Sequence, residues 1–251
     1  MKKIITITNQ KGGVGKTTTT LSLIGALVQR KYRTLGVDLD PQGSLGFSAG
    51  VDIENSVTIY DVLRGRAPIR RAIVSSESMG DFIPSNILLS SAELEFNMPR
   101  RECLLREQLE TVADDYDFII IDTPPALNVL TFNAYVAAQG LIIPMAPEIL
   151  SLLGIAQIRE TIDTVRKYYN PDLEVLGILL NKFNWRLVLN REVEEMAQDI
   201  ARNLGTKVFH TKIHTSVAVA ESPAHGESVI TYAPSSKPAR DFKALLNELM
   251  R

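Results

Sequence analysis

Cysteine is almost absent: Cys103 is the only one in 251 residues. One thiol can make no intramolecular disulfide and no cysteine-built zinc site. Cys103 lies in Cys103-Leu104-Leu105-Arg106, on an expected helix, and reads as a small core residue. Histidine is scarce too. His210, His214 and His225 have no metal-ligand spacing and no HExxH frame, and read as surface or loop residues. No apolar run approaches 18 residues free of charge and proline, so no membrane-spanning helix is expected. The first residues lead directly into a strand, not a signal peptide, and a reducing cytoplasm is the expected compartment. Net charge is close to balance at −2, which excludes a global basic field for nucleic acid. Repeats and Gly/Ser linkers are missing as well. With 45% hydrophobic residues, the chain is expected to bury one core as a single domain, 1–251.

What is present is an alternation of strand-like and helix-like segments. Ile4-Ile5-Thr6-Ile7-Thr8 reads as a buried strand, and Leu21, Leu23, Ile24 and Leu27 follow at helical spacing. Further strands are expected before Asp40, over Phe118–Asp122, around 142–147 and over 173–181, with 52–112 more helical and Ser75–Ser78 a loop. The pattern predicts an α/β fold: a doubly wound, mostly parallel sheet with helices on both faces.

Between the first strand and helix lies Lys11-Gly12-Gly13-Val14-Gly15-Lys16-Thr17-Thr18. Glycines allow positive φ and close backbone approach, so the N–H groups of this stretch can surround an anion at a helix N-terminus. Lys16 is suited to the β- and γ-phosphates of ATP and the Thr17 hydroxyl to Mg²⁺. The strict G-x-x-x-x-G-K-[ST] pattern is not met, because its first glycine falls on Gln10; the form KGGxGK[ST] is met at every position.

That variant loop resembles the deviant Walker A motif of the ParA/MinD (Soj-like) partition ATPases, P-loop NTPases related to the nitrogenase iron protein. The resemblance covers nearly the whole chain. It implies that Lys11 reaches across an ATP-dependent homodimer to the partner's nucleotide; the competing reading is a solvated loop charge. Asp38-Leu39-Asp40-Pro41-Gln42-Gly43-Ser44 is similar to switch I, where Asp40 would orient the attacking water and bind Mg²⁺ through water, with Asp38 serving only the turn. Asp122 matches the Walker B aspartate, a further Mg²⁺ ligand through water, and Thr123–Asn128 looks like switch II. Asn181 stands where relatives read the adenine edge, although a helix or turn cap is the rival role. Glu148 matches a dimer-face position or is a solvated charge.

The resemblance further implies an ATPase switch that hydrolyses ATP slowly and segregates or positions plasmid, chromosome or protein cargo. Its partners would be non-specific DNA, placing it on the nucleoid when ATP-bound, and a ParB-like or cargo adaptor that stimulates turnover. With a strand expected from residue 3, the N-terminal helix-turn-helix domain of the longer plasmid types is not expected. Candidate DNA-phosphate contacts are Arg186, Arg191, Arg202, Lys207, Lys212, Lys237 and Arg240. Arginines that serve nucleoid binding in Soj-like chains are replaced here by Thr215 and Val219. The segment Glu221–Tyr232 otherwise looks like the family's C-terminal region. One alternative is a MinD-like membrane protein, but the amphipathic tail helix through Ala239, Phe242, Leu245, Leu246 and Leu249 has a mixed polar face and is expected to pack on its own sheet. The other is an iron-protein-like metabolic or assembly ATPase, which a single Cys103 disfavours.

Overall fold

The computed structural model describes residues 3–251 except Glu77, Ile149 and Arg186. Seven strands, β1 (Ile4–Ile7), β2 (Thr34–Asp38), β3 (Val74–Ser76), β4 (Gly80–Ile83), β5 (Phe118–Asp122), β6 (Gly140–Met145) and β7 (Glu174–Leu180), form one sheet in the order β3-β4-β2-β5-β1-β6-β7. Every pairing is parallel except β3 with β4. The central strands are β-branched and buried on both faces, the composition that a doubly covered parallel sheet demands. Alternate residues supply two cores. Ile119 and Ile121 join one with Leu35, Val37, Leu141 and Ile143; Ile120 joins the other with Ile5, Ile7, Ile142 and Leu179.

Helices cover both faces. Val129–Ala137 contributes Leu130, Ala134 and Tyr135 to the first core. The phosphate-loop helix Lys16–Gln29 and the C-terminal helix Lys237–Leu249 close the second, where Leu23, Ile24 and Leu27 share one cluster with Ala239, Phe242, Leu245 and Leu246. The tail's apolar stripe is thus consumed inside the molecule, as expected. Cys103 is buried in the first core. Ser75 and Ser76 are corrected from loop to strand: they pair antiparallel with Asp81 and Gly80 at the sheet edge, where backbone pairing needs no apolar alternation.

Parallel pairing has one decisive effect. The loops after β1, β2, β5 and β7 all open at the same carboxyl edge, the usual ligand side of an open α/β sheet. Residues distant in sequence are brought together there.

Candidate active site

The loop after β1 is shaped by backbone geometry. Gly13 and Gly15 adopt φ of 74° and 91°, in the left-handed region. A Cβ on Gly12 or Gly13 would meet nothing within 4 Å, so the loop there borders open space. At Gly15 a Cβ would lie 2.7 Å from Asn181 Nδ2, a clash as well as a strained φ. Asn9, which sequence reasoning passed over, anchors the loop: its Oδ1 accepts the Lys11 N–H at 2.9 Å and its Nδ2 donates to the Pro144 carbonyl at 2.8 Å.

Lys16 is buried, with Nζ donating to the Lys11 carbonyl at 3.1 Å. Desolvation lowers its pKa, opposed by the charges of Asp122 and Asp40. Thr17 Oγ1 donates to Asp122 Oδ2 at 2.6 Å, and Thr20 Oγ1 to Asp122 Oδ1 at 3.3 Å. Asp122 has no solvent exposure, and burial pushes its carboxyl up to about 7 against the Thr17 bond and the Lys16 charge. Asp38 aligns with it across β2 and β5 and is raised for the same reason, reinforced by Asp122. Asp38 accepts the N–H groups of Asp40 and Leu45, each at 2.9 Å, so it is the post on which the following turn is wound. Asp40 is half-buried and accepts the Gln42 N–H at 3.0 Å.

Gly12, Gly13, Gly15, Lys16, Thr17, Thr18, Asp40 and Asn181 line one cavity of about 670 Å³. Val14 is buried and contributes its carbonyl, which accepts from Asn181 Nδ2 at 2.9 Å. The same amide donates to Thr19 Oγ1 at 3.1 Å, while Asn181 Oδ1 is buried without a partner. Asn181 therefore clamps the loop through its amide N–H groups, and its Oδ1 is left as a buried acceptor. Lys11 is not on the wall; its ammonium pairs with Glu148, whose carboxyl is held below its ordinary range by that contact. His214, a loop residue as expected, also lines the cavity. Its distance in sequence from the loop hid that position.

The donor set suits a small hard cation. Among the described residues no three His, Cys, Asp or Glu side chains converge on a metal site. One hydroxyl and one carboxylate in contact, beside a phosphate-sized glycine cradle, match Mg²⁺ held by few protein oxygens, phosphate and water.

The basic surface is thinner than the sequence suggests. Lys212 is corrected: its side chain is 8% exposed, 2.6 Å from Glu194, with Nζ 4.3 Å from the Trp185 ring centroid, so burial and pairing remove it as a phosphate contact. Arg202 pairs with Asp199, and Lys207 lies 3.9 Å from Glu248. Arg191, Lys237 and Arg240 are exposed. Arg186 lies outside the described residues. Thr215 is exposed and Val219 half-buried, and both border the cavity. No helix among the described residues is long and apolar enough to cross a membrane.

Residues 2–175 match a family model described as an AAA domain. The chain is also 39% identical over 252 residues to the chromosome partitioning protein ParA of Myxococcus xanthus, covering 99% of this chain and 88% of that protein. The chain belongs to the ParA/Soj family. Its likeness to the sporulation initiation inhibitor protein Soj of Bacillus subtilis is 40% over 256 residues, covering 99% and 98% of the two chains. Among solved structures, cobyrinic acid a,c-diamide synthase from Mycobacterium smegmatis with bound ATP analog and magnesium matches with a TM-score of 0.88 at 34% identity, covering 100% of this chain and 95% of that one. That likeness of fold extends over the whole chain.

Proposed function

We propose that this ParA/Soj-family chain is an ATP-dependent dimerising switch that binds ATP with Mg²⁺, hydrolyses it slowly and positions a DNA or protein cargo. The observation that carries the reading is that Lys16, Thr17 and Asp40 line one glycine-lined cavity, with the buried Asp122 in contact with Thr17 behind its wall. Lys16 leaves the Lys11 carbonyl to hold the β- and γ-phosphates. Thr17 and Asp122 would hold Mg²⁺, and the ion would neutralise phosphate charge. Asp40, at the end of its Asp38-anchored turn, would orient the attacking water and help to hold the ion. Asn181, on the cavity wall, is the candidate contact for the base. Lys11 exchanges Glu148 for the nucleotide of a second copy, joining two protomers. Non-specific DNA binding by the dimer and stimulation by a ParB-like or cargo adaptor complete the cycle. A MinD-like reading is weakened by the buried tail helix, and an iron-protein-like one by the single, buried Cys103.

The test is paired. Lys16→Ala should weaken ATP binding by about ten- to a hundredfold, the worth of a charge-assisted bond. Asp40→Ala should keep ATP bound while phosphate release falls by about 10²-fold or more. Unchanged turnover in the Asp40 variant would remove the switch I role.

A further inference from the structure

Strand β1 gives up its place in the sheet at Asn9. Thr8 N–H donates to the Ile142 carbonyl of β6 at 3.0 Å, so backbone pairing runs up to that point. A parallel ladder is evenly spaced, and its next bond would join the Gln10 N–H to the Pro144 carbonyl. The Pro144 carbonyl accepts Asn9 Nδ2 instead, at 2.8 Å. An amide side chain thus fills the ladder position, and the backbone is released into the phosphate loop. The other end of the amide, Oδ1, accepts the Lys11 N–H at 2.9 Å. Asn9 is 1% exposed, and its partners settle its orientation: a carbonyl needs the NH₂ and an N–H needs the oxygen.

These two bonds bear on Lys11 from both ends. Its N–H is held by Asn9, while its ammonium pairs with Glu148, four residues beyond Pro144. Asn9 therefore fastens the segment that carries the lysine to the strand that leads to its partner carboxylate. Lys16 holds the Lys11 carbonyl, a bond given up when Lys16 turns to phosphate. The Asn9 bonds take no part in that exchange, because Asn9 does not line the cavity. A nucleotide can enter with both of them intact.

We propose that Asn9 is a positioning residue for Lys11: by taking the ladder position on β6 it sets the point from which Lys11 reaches the nucleotide of a second copy. This rests on the switch reading given above, in which Lys11 completes the partner's site. Without the amide, the Gln10 N–H can zip onto Pro144, β1 lengthens, and the Lys11 backbone is drawn towards the sheet. Gly12 and Gly13, which border open space, absorb that shift before it reaches Lys16. Asn9 never meets the nucleotide and acts through Lys11.

The experiment reads two constants. The dimer dissociation constant comes from light scattering at a saturating, slowly hydrolysed ATP analogue with Mg²⁺. The dissociation constant of inorganic tripolyphosphate, by calorimetry at equal Mg²⁺, reports on each chain's own loop. Asn9→Ala should weaken the dimer about tenfold and change tripolyphosphate binding less than about twofold. Asn9→Ser restores an oxygen that can accept the Lys11 N–H, more weakly, but its side chain is one bond shorter and cannot also reach Pro144. It should recover part of the lost dimer affinity. Thermal melting checks that both variants fold. If Asn9→Ala does not, Asn9→Ser carries the test: its dimer should be weaker than that of the wild type, with tripolyphosphate binding unchanged. A dimer of wild-type strength in the folded variants, or equal losses in both constants, overturns the positioning role and leaves the switch reading standing. A wild-type protein that binds tripolyphosphate yet stays monomeric with the analogue overturns the switch reading, and this inference with it.

Discussion

At the scale of single residues, the proposed cycle gives the loop's second lysine two competing partners. In the isolated chain Lys11 pairs with Glu148, an exposed contact of the kind worth about 0–1 kcal/mol. Lys11→Ala should therefore keep most ATP affinity yet lose ATP-induced dimerisation, as read by light scattering with a slowly hydrolysed analogue. Glu148→Gln should strengthen dimerisation, by at most about fivefold. Normal assembly of the Lys11 variant would reduce that lysine to a loop charge. Asp122 has a different liability. Its folded pKa is raised by burial to about 7, above the ordinary carboxylate value of 3.8. The folded state then binds the extra proton between those two values, so stability falls as pH rises through that window. In metal-free buffer, Asp122→Asn should raise the melting temperature at pH 8, and the gain should shrink towards pH 4. A gain independent of pH would mean that the carboxyl is already charged throughout that range.

At the scale of elements, the C-terminal helix decides between two fates for an amphipathic tail. Leu245 is fully buried beside the phosphate-loop helix. Leu245→Ala should cost about 2–5 kcal/mol in denaturant unfolding. Sedimentation with anionic vesicles should find no binding by the wild type; a tail made for lipid would give the opposite pair of results. Elements with apolar periodicity were legible in the sequence: Ile4–Ile7, Phe118–Asp122 and the tail are found where their patterns put them. Strand β3 was not, because three residues containing two serines carry no alternation and owe their conformation to pairing with β4. Within the site, the glycine loop and the two strand-ending aspartates were legible, since each sits at a junction between periodic segments. His214 and Lys212 were not. One reaches the cavity and the other disappears beneath Trp185 through contacts between residues far apart in sequence, which no local spacing encodes.

At the scale of the whole molecule, the candidate DNA contacts left among the described residues are few. Arg191, Lys237 and Arg240 give about three phosphate contacts per protomer, and two protomers acting together would give about six. Log affinity should then fall with log salt at a slope of about −0.9 per contact, so binding should vanish between low and physiological salt. A mobility shift with unrelated duplexes should show a complex with ATP and none with ADP. Equal binding in every nucleotide state, or none at low salt, would move the cargo contact to a protein surface.

Both lysines of the phosphate loop are engaged by the chain itself, Lys16 by the Lys11 carbonyl and Lys11 by Glu148. The phosphate loop is therefore poorly open to polyanions at large. A nucleic-acid backbone or heparin offers spaced charges that cannot follow Lys16 into a buried pocket, whereas a compact triphosphate can. Selectivity among the anions of a crowded cell is in this way set before any base is read, by which of them is small enough to draw a sheltered ammonium from its own backbone.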